Sequence, residues 1–296
     1  MKTIPQYLSE IKNGDYLSLA RALSLIENDL QGSAELLQQL NINQEIPVVG
    51  ITGPPGAGKS TLVNALIEKL SIAGKKIAIL AVDPTSPFNM GSLLGDRVRM
   101  SGHFNKPNVF IRSVATRGSV GGLSAKIIEM TDLLRSAAFD YIIVETVGVG
   151  QSEIEIAGLA DLTLVVLVPE AGDEIQHIKS GLMEIGDAFI VNKSDREGSD
   201  TFANQLKKML HQRPTVVPVF KTAADRQQGI DELMDWVLLA KTGRNEKKLF
   251  LYTEKAFKLI QNKRMKNIQR KDLQEGLAGA YLKSDFNLYT FISNYE

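Results

Sequence analysis

The stretch "GPPGAGKST", Gly53 to Thr61, carries the most specific chemistry in the chain. It fits G-x-x-x-x-G-K-[ST], with Gly53, Gly58, Lys59 and Ser60 at the fixed positions. Pro54, Pro55, Gly56 and Ala57 fill the variable positions, and Thr61 follows. Such a loop turns its backbone N–H groups inward to cradle phosphate oxygens. It lies between the apolar run "IPVVGIT" and the helical pattern "STLVNALIEKL". The positive end of that helix therefore adds to anion binding. Lys59 supplies a point charge to the β and γ oxygens of a nucleoside triphosphate, and the Ser60 hydroxyl suits Mg2+.

A second motif addresses the base. "FIVNKSD" puts Asn192, Lys193 and Asp195 directly after an apolar run. A carboxylate accepts two hydrogen bonds from the N1–H and 2-amino group of guanine, whereas adenine leaves a buried acid unpaired, which is costly. The stem of Lys193 can cover the face of the base. Thr222 and Ala223, in "VPVFKTAAD", are either a backbone contact for the guanine O6 or an ordinary strand-to-helix turn.

The acids come third. "YIIVETVGVGQSE" ends an apolar run in Glu145, with Gly148 three residues on. Position assigns Glu145 to Mg2+, directly or through water, because Mg2+ commonly keeps several waters. Gly148 offers its N–H to the γ-phosphate. Asp83 closes "KKIAILAVD", and Asp96 lies in "GSLLGDRVRM". Both are either further metal acids or a turn residue and a helix-start charge. Gln151 is a candidate for positioning water, with a switch contact as the alternative. Arg117, in "TRGSVGG", either approaches the phosphates or serves a glycine-rich turn.

These residues need a frame that brings them together. Seven short apolar runs, "IPVVGIT", "KKIAILAVD", "NVFIRSVAT", "FDYIIVETV", "DLTLVVLVP", "DAFIVNK" and "PTVVPVF", alternate with mostly helix-like segments. Near-continuous apolar runs suit strands buried on both faces. The pattern predicts an α/β fold with a mainly parallel sheet sandwiched by helices, its ligand at the carboxyl ends of the strands. The expected organisation is a helical extension over residues 1–45, a nucleotide-binding domain over 46–241 and a helical extension over 242–296. In "YLSLARALSLIENDL" the residues Leu17, Ala20, Leu23 and Leu30 fall at helical spacing. The basic, amphipathic stretch after residue 242 is either a packing helix with a solvated face or a dimerisation or partner arm.

Composition narrows the classes. Across 296 residues the formal net charge is +0, so bulk charge points to no nucleic-acid or membrane-surface partner. There are no cysteines, which excludes disulfides and thiolate metal sites. The first residues lack the apolar core of a signal peptide, and no apolar run approaches the roughly 20 residues of a membrane span. The expected location is cytoplasmic. His103, His177 and His211 are scattered and read as ordinary histidines rather than metal ligands.

Taken together, "AVDPTSP", "GDRVRM", "RSVATRGSVGGLS", "ETVGVGQSE", "PEAGDEIQHIKSGLMEIGD" and "VNKSD" resemble the MeaB/ArgK-type GTPases, a branch of the SIMIBI class of phosphate-loop NTPases. The likeness runs through residues 45–240. It implies Mg2+-dependent hydrolysis of GTP to GDP by a homodimeric chaperone. The chaperone's partner would be an adenosylcobalamin-dependent acyl-CoA mutase, chiefly methylmalonyl-CoA mutase, whose cofactor loading it gates. It also assigns the metal and switch acids to Asp83, Asp96 and Glu145, and an additional switch to Asp173, Gln176 and Lys179. Without the resemblance, those last three would read as one solvated helix face. His177 departs from the small residue the family pattern leads one to expect there. Alternative readings on the same loop are a kinase or transport-linked ATPase, an older label of this family, and a metallochaperone GTPase.

Overall fold

The computed structural model describes residues 3–83, 100–115, 126–148, 152–169, 180–211, 213, 216–240, 246–265, 268, 270–281 and 286–292. Among the described residues, seven strands form one sheet: β1 Val48–Thr52, β2 Ile77–Asp83, β3 Val109–Ala115, β4 Tyr141–Glu145, β5 Leu162–Leu167, β6 Ala188–Val191 and β7 Val219–Lys221. Their order is β3-β2-β4-β1-β5-β6-β7. Every neighbouring pair is parallel. All seven apolar runs picked out in the sequence are strands of this sheet.

Parallel strands must be joined by crossovers, and helices fill both faces. Successive side chains of a strand point to opposite faces, and the core records this alternation. Leu164 and Val166 of β5, with Ala188 and Ile190 of β6, join one apolar cluster. Val165 and Leu167, with Phe189 and Val191, join another. Burial on both sides is why these strands read as unbroken apolar runs. The first cluster takes in the helix α4 (Lys59–Ile72), through Leu62, Val63, Leu66, Ile67 and Leu70.

The N-terminal segment folds into α1 (Ile4–Lys12), α2 (Tyr16–Glu27) and α3 (Ser33–Gln38). Asp15 caps α2, its carboxylate accepting from the N–H groups of Leu17 and Ser18. The buried face of α2 is Leu19, Ala22, Leu23 and Ile26. Of the four positions expected from the sequence, Leu23 is buried and Ala20 half-buried, whereas the other two face outward. Leu17 and Leu30 are 59% and 53% exposed, and Leu30 lies beyond the helix. Leu17 and Leu19 both satisfy a helical period, and packing against α1, α3 and the helix Ile127–Arg135 selects Leu19.

The chain divides into two compact units, Met1–Lys248 and Leu249–Glu296. Among the described residues after 245, the helices are Glu246–Arg264, Arg270–Tyr281 and Leu288–Ile292. Among the described residues, no helix is long and apolar enough to cross a membrane.

Candidate nucleotide site

Strand register aligns the site. Ile51 pairs level with Glu145, Thr52 with Val165, Leu167 with Val191, and Val191 with Lys221. The residues that follow these strand ends are Gly53, Thr146 to Gly148, Asn192 and Thr222. All therefore emerge on one carboxyl edge, around the position where strand order reverses about β1. Open parallel sheets bind their ligands in that crevice.

The phosphate loop wraps around Lys59. Gly53, Gly56 and Gly58 have φ of 137°, 79° and 86°, a region open to glycine and strained for other residues. Lys59, 6% exposed, donates from Nζ to the Gly53 carbonyl at 2.9 Å, the Pro54 carbonyl at 3.1 Å and the Val147 carbonyl at 3.4 Å. The ammonium thus joins the loop after β1 to the loop after β4. Gly148 lies against the same spot. Its φ is 85°, and an added Cβ would stand 2.1 Å from the Gly53 oxygen and 2.6 Å from Lys59 Nζ. A side chain at this position would collide with the phosphate loop, so the close approach requires glycine.

Ser60 and Glu145 meet. Ser60 Oγ donates to Glu145 Oε1 at 2.7 Å, and both residues are buried. Beside them the Thr146 hydroxyl donates to Thr52 Oγ1 at 3.0 Å and locks the end of β4 to the end of β1. A hydroxyl and a carboxylate in contact at the start of α4 are hard oxygen donors that fit Mg2+. Among the described residues there is no group of three His, Cys, Asp or Glu that could hold a metal. Asp83 ends β2, two residues past Ala81, which is level with Glu145. Its side chain lies outside the described set. Asp96, Arg117, Gln151, Asp173, Gln176, His177 and Lys179 also fall outside the described residues. Of the other two histidines, His211 is exposed and His103 half-buried. Burial and nearby Lys106 hold the His103 imidazole below its usual range.

At the far end of the edge, Asn192 is 2% exposed and engaged at both ends of its amide. Nδ2 donates to the Ala57 carbonyl at 3.0 Å. Oδ1 accepts from the Thr222 hydroxyl at 3.0 Å and the Ala224 N–H at 3.2 Å. Asn192 thereby braces three loops. The N–H groups of Thr222 and Ala223 donate to Val191 and Gln228 carbonyls, so the described backbone there is tied internally. Lys193 takes φ of 55° and opens a tight turn, closed by the Arg196 N–H on the Lys193 carbonyl at 3.0 Å. That turn presents Asp195, whose Oδ2 lies 3.1 Å from Arg226 Nη2.

Two parts of this site escaped the sequence reading, the Thr52–Thr146 hydroxyl pair and Arg226. Each depends on residues far apart in the chain, and no short motif contains them. The only signal for the threonines is that each ends an apolar run next to a motif glycine or acid.

A family comparison matches residues 19–273 to "Methylmalonyl Co-A mutase-associated GTPase MeaB". The chain belongs to this family. A protein of Pyrococcus abyssi (strain GE5 / Orsay) named as a GTPase is 42% identical over 273 residues, covering 87% of this chain and 83% of that protein. The GTPase ArgK of Escherichia coli (strain K12) is 35% identical over 257 residues, covering 81% and 76%. A crystal structure named LAO/AO transport system kinase superposes with a TM-score of 0.71 at 25% identity, covering 99% of this chain and 97% of that one. As a MeaB-family protein the chain is a phosphate-loop GTPase. It binds a guanine nucleotide and converts GTP and water to GDP and phosphate.

Proposed function

We propose that this MeaB-family GTPase is a chaperone of an adenosylcobalamin-dependent acyl-CoA mutase, methylmalonyl-CoA mutase foremost, whose cofactor loading and protection it gates through its nucleotide cycle. The observation that carries this reading is the family match over residues 19–273, since the family's name ties its GTPases to that mutase.

Each site residue then has a role. The loop from Gly53 through Pro54, Pro55, Gly56, Ala57 and Gly58 to Lys59, Ser60 and Thr61 holds the phosphates. Lys59, already buried among loop carbonyls, offsets the negative charge on the β and γ oxygens as the γ-phosphate leaves. Gly148 directs its N–H to the γ-phosphate, and Gln151 either orders the attacking water or makes a switch contact. Ser60, Asp83, Asp96 and Glu145 would together supply the protein oxygens that hold Mg2+. When bound, the ion neutralises phosphate charge. Asp195 accepts from the guanine edge, Lys193 covers the base, and Asn192 with Thr222 and Ala223 keeps the base-side loops in place. Asp173, Gln176 and Lys179 pass the nucleotide state to the mutase. Residues 46–241 form the GTPase domain, 1–45 its helical extension, and 242–296 an arm for dimerisation.

Capture of the mutase by the purified chain, with GDP and with a non-hydrolysable GTP analogue, tests this. We expect retention that differs between the two nucleotides, and GTP turnover that rises when mutase is added. Equal absence of mutase in both arms would refute the proposal. A transport-linked kinase is the second reading, favoured by the name of the superposing crystal structure. It requires transfer of the γ-phosphate to an acceptor, so quantitative release of inorganic phosphate from GTP separates the two. A metal-carrier role asks for cysteine or histidine ligands, and the chain has no cysteine.

A further inference from the structure

Asp195 sits in the turn that Lys193 opens, and Arg226 in the single 3-10 turn Ala224–Arg226 that follows β7. The two loops are fastened to each other below this pair. The Ser194 N–H donates to the Thr222 carbonyl at 2.9 Å, and Asn192 Oδ1 takes both the Thr222 hydroxyl and the Ala224 N–H. The Arg226 loop is also closed on itself. Ala223 and Gln228 exchange hydrogen bonds of 3.1 Å and 3.2 Å, and Gln227, at φ of 58°, reaches Glu68 of α4 through Nε2 at 3.1 Å. The backbone under Arg226 is therefore anchored on three sides, and its guanidinium extends from a fixed point to Asp195 Oδ2.

We propose that Arg226 is a positioning residue for guanine recognition, holding the Asp195 carboxylate in the orientation that accepts the N1–H and the 2-amino group. The inference rests on the assignment of Asp195 to the base. A carboxylate offers about four lone-pair sites on two oxygens, so one arginine contact leaves room for two base donors. A partly exposed aspartate must otherwise lose rotamer freedom when the base arrives, and a partner that orders it beforehand removes that cost from binding. The arginine side chain is itself 59% exposed, so replacing it leaves the core untouched.

Inosine diphosphate lacks only the 2-amino group. The ratio of GDP to IDP affinity therefore isolates the hydrogen bond that Asp195 makes to that group. Dissociation constants for both nucleotides, measured calorimetrically on the full chain, test the proposal. In Arg226→Ala the ratio should fall about two- to five-fold, the range that exposed ion pairs support. In Arg226→Lys, which keeps a single cationic contact, it should stay near the parent value. An unchanged ratio in Arg226→Ala, or an equal loss of GDP and IDP affinity, overturns the role. Asp195→Asn run in parallel keeps the two assignments apart. A shift toward xanthosine diphosphate there upholds the base assignment and leaves the Arg226 result decisive. If that shift is missing, the Asp195 assignment itself has failed, and the Arg226 inference falls with it.

Discussion

Glu145 ends β4 where many phosphate-loop proteins place an aspartate, and the extra methylene has a visible consequence. The carboxylate reaches across to the first turn of α4 and takes the Ser60 hydroxyl at 2.7 Å. Aspartate, one carbon shorter, would need β4 and α4 to move closer together. The contact explains how a longer acid serves at this position without loosening the site. Glu145→Ala removes one partner of a buried pair, so the Ser60 hydroxyl loses a charge-assisted bond of about 1.5–3 kcal/mol. We expect hydrolysis to lose much of its response to Mg2+ concentration while GDP binding is largely retained. Magnesium titrations of single-turnover hydrolysis check this, and a normal Mg2+ dependence would refute the metal role. Asn192 acts differently. Its motif membership was legible, but its bonds run to Ala57, Thr222 and Ala224, so it braces the loops that meet at this end of the edge.

At the level of elements, the helix Ser152–Leu159 follows the Glu145–Gly148 loop and lies directly on β1. Gly50, in the middle of β1, makes that approach possible. A Cβ there would stand 2.6 Å from Ile156 Cγ1 and 2.9 Å from the Ala160 Cβ. Gly50→Ala should therefore lift this helix from the sheet and lower stability by about 1–3 kcal/mol, the usual cost of overpacking. Ile156→Ala in the same chain should recover part of that loss, and the coupling between the two changes is measurable by denaturant unfolding. Strictly additive losses would refute the contact as the cause. A second junction sits at the opposite end of the sheet. Arg135, 1% exposed, pairs with Asp161, which also accepts from the Val48 N–H at 2.8 Å. Arg135 further donates to Gln44 at 2.7 Å, so residue 44 is tied to the body of the sheet just before β1 begins.

For the whole molecule, the two compact units divide at Lys248, and the core clusters of the sheet lie within the first. The second unit carries large exposed apolar side chains, with Leu249 at 73%, Phe250 at 68% and Phe257 at 67%. Such a concentration on one short unit fits the proposed dimerisation arm. A chain ending at Lys248 should keep GDP binding and sediment as a monomer. A dimer of unchanged mass would remove the arm from the interface, and loss of GDP binding would show that the arm supports the site.

The sequence by itself determined the strand count, the α/β class, the phosphate loop and the guanine motif. Each of these is local: a buried strand must be apolar throughout, and a phosphate cradle must have its glycines and lysine in a fixed short order. Tertiary structure alone decided that Leu19 and not Leu17 is buried, because the two are equally apolar until one of them meets the neighbouring helices. It likewise decided that Ser60 and Glu145 touch, that Thr52 bonds Thr146, and that Arg226 reaches Asp195. Those partners are separated by up to 94 residues, as for Thr52 and Thr146. Only the register of parallel strands, which brings several chain segments to one carboxyl edge, sets such distances.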